Sequence, residues 1–208
     1  MFWQMLAAAG VAMAGAALAI RPRGWPAAVA LAVLSTDWGA LLWLAGQPGA
    51  GTAQATAGVA AAAVIGLAGE PKEERGRRGR PPRPDDVFAP VFRAVVVSMG
   101  LVVAYGLAHT LPLAPQLAGN EASFSWYWLI VVGLMLLLFK YDLVCTGYGL
   151  VLLSLAGPSF HAVVATEESL GVSIAGAAAT VALAVLLAHL GAASREPATT
   201  AETEKGGT

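Results

Sequence analysis

Acidic, basic and imidazole side chains inside long apolar runs are the residues here with chemistry to offer. The clearest is Asp37, in Ser35-Thr36-Asp37-Trp38, with no basic residue within a helical turn. Hydrocarbon disfavours the charged form of a carboxyl, and an ionisable group kept there against that cost has a partner or a task. Two readings stand. One is a group that takes up and releases a proton or ion; the other is a protonated Asp hydrogen-bonded to a neighbouring helix. His109 and His161 fall at the ends of their runs, with Glu167-Glu168 just beyond the second. Imidazole titrates near neutrality, so they are proton-path candidates beside Asp37, against the plainer reading of solvated boundary residues. Lys140 and Asp142 flank Tyr141 and read as a boundary anchor, the lysine reaching out along its stem to water.

Other chemistries lack their residues. No HExxH, CxxC or clustered His/Cys spacing is present, so no metal ligand set is expected. Gly147-Tyr148-Gly149 lies in an apolar run and reads as close helix packing rather than a phosphate loop. Cys145 is the single cysteine and has no internal partner. An intramembrane enzyme is a third possibility for which no residue set argues.

The elements that must position these groups follow from composition. Of 208 residues, 57% are hydrophobic and 12% charged, about half the charge of an ordinary soluble domain. Mean hydropathy is +0.68. Lipid is therefore a main solvent of the chain, and a soluble enzyme domain, a nucleic-acid binder and a disulfide scaffold are excluded. Apolar windows predict an all-α polytopic membrane bundle of seven transmembrane helices near 4–20, 27–46, 52–69, 90–113, 124–139, 143–164 and 170–192. Prolines at Arg21–Pro26 and Gln47–Gly51 mark short turns. Residues 70–86 hold six Lys/Arg, five Asp/Glu and four Pro, a solvated composition. The expected organisation is a three-helix block over 1–69, a charged cytoplasmic connector over 70–89, a four-helix block over 90–193, and a disordered tail over 194–208.

Charge fixes the expected orientation. With these spans, all twelve Lys and Arg fall on one side, while the opposite loops, Gln47–Gly51, Ala114–Ser123 and Thr166–Ser169, contain none. Positive charge is retained in the cytoplasm, so residue 1 is expected outside and residue 208 in the cytoplasm of a multi-pass cell (inner) membrane protein. The first span reads as uncleaved, because its arginines follow the apolar stretch rather than precede it. Trp3, Trp43, Trp126 and Trp128 are expected toward the outer boundary and Trp25 at the inner one. Spans 4–19 and 52–69 are dominated by Ala and Gly, which insert weakly and pack closely, so they need protein neighbours; Leu129–Phe139 and Leu150–Leu155 are bulky enough to face lipid.

The order of parts, three spans, a proline-rich charged connector, then four spans, resembles the HyfE-like membrane subunits, the E component of formate-hydrogenlyase-type hydrogenases. That family is related in part to the K subunit of respiratory complex I. The residues carrying the resemblance are Phe88-Ala89-Pro90, Gly147-Tyr148-Gly149-Leu150-Val151 and Glu168-Ser169-Leu170-Gly171-Val172-Ser173-Ile174. It implies a non-catalytic subunit of a proton- or cation-translocating redox complex, packed against antiporter-like subunits. No cofactor would lie in this chain, and the nickel-iron and iron–sulfur centres would sit in soluble partners. The family carries a buried Glu after its Gly-Tyr, where this chain reads Leu150-Val151-Leu152-Leu153, so Asp37 is left as the acid for a proton path. A free-standing small membrane transporter, its substrate passing between the two blocks, is the alternative.

Overall fold

The computed structural model describes residues 2–22, 24–68, 84–113, 119–138, 143–164 and 170–193. These form seven helices: α1 (Phe2–Ile20), α2 (Gly24–Leu44), α3 (Pro48–Ala68), α4 (Pro84–Thr110), α5 (Gly119–Leu138), α6 (Leu143–Val164) and α7 (Leu170–Ala193). No strand occurs among the described residues. Among the described residues, six of these helices have a stretch long and apolar enough to cross a membrane, and the stretch described in α6 is Val144–Pro158. The chain is a multi-pass α-helical membrane protein.

Helix starts fall three to six residues earlier than the hydropathy windows place them in four cases, and in three of these the prolines belong to the helices. Pro48 opens α3, Pro84 opens α4 and Pro26 lies in the first turn of α2. A proline there forgoes only a donor that has no intrahelical acceptor and brings its φ already set. The turn between α2 and α3 is a Schellman cap. Gly46 takes φ +84°, its N–H donates to Trp43 O at 3.1 Å, and the Gln47 N–H donates to Leu42 O at 3.0 Å. The chain can then re-enter as α3 at once.

The helices stack in two layers, α1–α2–α3 on α4–α5–α6–α7. Helix α1 lies over α5 and against α4, α3 lies against α7 and α6, and α4 is outermost. Helix association in lipid depends on close approach of backbones rather than on burial of apolar area. A Cβ at Gly39 of α2 would stand 2.6 Å from Gly51 O of α3, and one at Gly149 of α6 would stand 2.8 Å from Gly133 O of α5. The Gly-Tyr-Gly stretch is thus a packing surface, with Tyr148 fully buried beside it.

The space between layers is filled by large side chains: Trp38, Leu31 and Leu34 from α2, Trp128, Leu129 and Val132 from α5, Val151, Leu152 and Leu155 from α6. This corrects two expectations. The bulky stretches of α5 and α6 mostly line the core, with Leu134 and Leu138 left exposed, while α4 and α7 expose Val95, Met99, Val102, Val103, Ile174 and Leu186. Alanine-rich helices leave interlayer volume, and only their bulky partners can fill it. Trp128, expected at the boundary, is 0% exposed because α5 starts at Gly119 and carries it about 13 Å down the helix. Trp3, Trp25 and Trp43 are well exposed near helix ends. Trp126 is half-buried, its indole donating to Ala156 O at 2.9 Å.

Candidate functional site

Each residue of Ser35-Thr36-Asp37-Trp38 faces a different neighbour. Trp38 enters the core. The Ser35 hydroxyl donates to Leu31 O at 2.7 Å, and its side chain rests on Gly58 of α3. The Thr36 hydroxyl donates to Ala32 O at 2.8 Å. Asp37 turns toward α1, where its carboxyl group lies directly on Gly10; a Cβ at that position would overlap it. Gly10 and Asp37 share a depth because both sit about two turns below the same end of the bundle.

Asp37 is half-buried and lines an open groove of about 540 Å³. Its walls come from Trp3, Leu6 and Ala7 of α1 and Gly51, Thr52 and Ala55 of α3, and its floor from α2. The groove runs from Trp3 and Trp43, near the helix ends, to the carboxyl group. Its hydroxyls are occupied: Thr52 Oγ1 donates to Pro48 O at 3.0 Å, as Thr36 does to Ala32 O. No hydrogen bond or ion pair reaches the Asp37 carboxyl group among the described residues.

The other sequence candidates lie elsewhere. His109 ends α4, exposed, with Nε2 3.1 Å from the Tyr105 hydroxyl and its ring edge-on to Tyr105 at 4.9 Å. His161 is exposed near the end of α6. Helix α4 packs on α5 and α1 and touches neither α2 nor α6, so Asp37, His109 and His161 are not brought together. Lys140 and Asp142, and Glu167-Glu168, lie outside the described residues. At the opposite end, the Arg93 guanidinium donates from Nη1 to Ile20 O at 3.2 Å, and Cys145 is buried with its thiol 3.5 Å from Pro22 O. Among the described residues no three His, Cys, Asp or Glu side chains are placed to hold a metal ion.

Sequence reasoning missed Gly10, whose role exists only once α1 and α2 are paired; a register count from the Arg21–Arg23 turn is the one signal that could have found it. It also passed over Gln54 of α3, buried to 1% with an Oε1 that has no described partner.

Compared with known proteins, the chain matches no family model, no curated protein and no solved structure. What the fold and the Asp37 groove define is therefore a class: a membrane bundle with seven helices among the described residues, in two layers, and a carboxyl group open to its side.

Proposed function

We propose that the chain is a non-catalytic integral subunit of a proton- or cation-translocating redox complex of the hydrogenase or complex I type, in the cell (inner) membrane, packed against antiporter-like subunits. The observation that carries this reading is the position of Asp37. Its carboxyl group opens on a groove in the side of the bundle, within the apolar span of α2, and a carboxyl left facing hydrocarbon costs at least a few kcal/mol. Protein from another chain would remove that cost. Helix α1 supports the same reading: it is rich in Ala and Gly, yet only 33% of its apolar stretch is buried within this chain, so much of a weakly lipid-soluble helix awaits a neighbour.

In this role the chain holds its neighbours together and offers Asp37 to a path running between subunits. It carries no cofactor, and redox chemistry belongs to soluble partners. Arg21 and Arg93 lie together at the Ile20 end, which supports a cytoplasmic assignment for that end. The free-standing transporter needs a passage between layers, and Trp38, Trp128, Leu34 and Leu155 occupy that space.

Extraction in mild detergent tests the proposal. The chain is expected to migrate with large membrane partners and to be degraded when they are deleted. A small stable oligomer, indifferent to their loss, overturns it. Measured per assembled complex, Asp37→Asn is expected to reduce proton translocation; unchanged translocation removes Asp37 from the path and leaves the subunit role standing.

A further inference from the structure

The groove over α2 also specifies what covers it. It reaches Asp37, and among the described residues no hydrogen bond satisfies that carboxyl group. The α1 side presents Gly10, which has no side chain. The Thr36 and Thr52 hydroxyls are committed to their own helix carbonyls. The basic groups of this chain that the structure describes are remote. Arg93 is held at Ile20 O, ten residues or about 15 Å along α1 from Gly10; Arg21 adjoins it in sequence, and His189 nears the same end of α7. His109 is paired with the Tyr105 hydroxyl at the end of α4, and neither it nor His161 lines the groove.

The walls, meanwhile, have the character of a helix seat. Ala7, Ala40, Gly51 and Ala55 are small, so an incoming backbone can approach closely, and the groove is open along its length rather than closed around a small molecule. A second copy of this chain, docked groove to groove, would bring another Asp37 and no described cation at that depth.

Resting on the subunit reading above, we propose that this groove receives one transmembrane helix of a different subunit, and that this helix presents a lysine or arginine to Asp37 about 10 Å below the Phe2 end of the bundle. Charge complementarity selects the occupant: a buried carboxylate and a cation each offset the other's desolvation, whereas an apolar helix would seal Asp37 in hydrocarbon unpaired.

Site-directed photocrosslinking in native membranes tests this. In a Cys145→Ser background, benzophenone-maleimide is attached at Ala40→Cys and Thr52→Cys in the groove, and at Val102→Cys on α4 and Leu186→Cys on α7 for comparison; adducts are mapped by mass spectrometry. The expected result is that groove probes attach to a transmembrane peptide of another subunit with Lys or Arg within about one helical turn. Asp37→Asn should lower that adduct at least about tenfold, and neutralising the partner's basic residue in the same strain should restore it, because removing both charges leaves neither unpaired. An unchanged thermal unfolding midpoint in mild detergent shows that the Asn variant is folded. Groove adducts to lipid alone, to a second copy, or to a segment without a basic residue overturn the inference; if the α4 or α7 probes still capture other subunits, the subunit reading survives. No protein adduct at any position defeats both.

Discussion

A single missing side chain governs how α1 and α2 meet. Gly10 is occupied from outside by the Asp37 carboxyl group, so Gly10→Ala is expected to lower stability by about 1–3 kcal/mol as the helices separate or Asp37 leaves its rotamer. Asp37→Ala in the same chain should return most of that loss, because it empties the space the new methyl needs. Thermal unfolding of the two single variants and the double variant in detergent checks this; additive losses would mean that the two residues do not touch. Trp128 gives a second case. Its ring is fully buried, and its Nε1 lies against Gly15 without a described acceptor. Trp128→Ala should cost about 3–5 kcal/mol through the cavity it opens. Trp128→Phe should cost far less, since the smaller loss of volume is offset by removal of an unpaired donor. The same unfolding measurement separates them, and equal losses would show that the indole N–H has a partner. Asp37 was legible in the sequence because a carboxylate in an apolar run needs no neighbour to stand out, whereas Gly10 and Trp128 acquire meaning only from the helix opposite them.

At the scale of elements, the existence of all seven helices could be read from apolar run length, because lipid demands about 20 such residues per crossing. Their ends could not, since a proline between runs is equally a separator or the first residue of a helix, and Pro48 proves to be the latter. Which helices meet lipid was not legible either: a bulky run suits hydrocarbon and an interlayer core alike, and α5 and α6 were claimed by the core. Helix α6 shows a compensation of this kind. Pro158 lies inside the helix and removes a donor, yet the ring fits over Gly176 of α7. One turn away, the Ser154 and Thr180 hydroxyls meet at 3.1 Å, so α7 supplies both the notch and a polar contact. Gly176→Leu is accordingly expected to part α6 from α7 and lose at least about 1–3 kcal/mol by overpacking. Proteolysis of purified protein should then cut at the α6–α7 junction faster than in the wild type; unchanged cleavage would show that the ring does not depend on this notch.

For the whole molecule, seven crossings and the distribution of charge make one joint claim. An odd count puts residues 1 and 208 on opposite faces, and it is the same count that gathers every Lys and Arg on one side. The fold supplies the geometry that links them: consecutive helices run antiparallel, so the 111–113 segment after α4 belongs with the Phe2 end and Arg93 with the Ile20 end. In the proposed positive-inside orientation the Phe2 end is external. In a Cys145→Ser background, Pro112→Cys, exposed after α4, is expected to react with a membrane-impermeant maleimide in intact cells. Gly76→Cys, among the six basic residues of the connector, should react only after permeabilisation. Labelling of both in intact cells would break the link between span number and charge. The reverse pattern would keep the bundle but invert it, moving the open end of the Asp37 groove to the cytoplasmic face and with it the side from which a proton could first reach that carboxyl group.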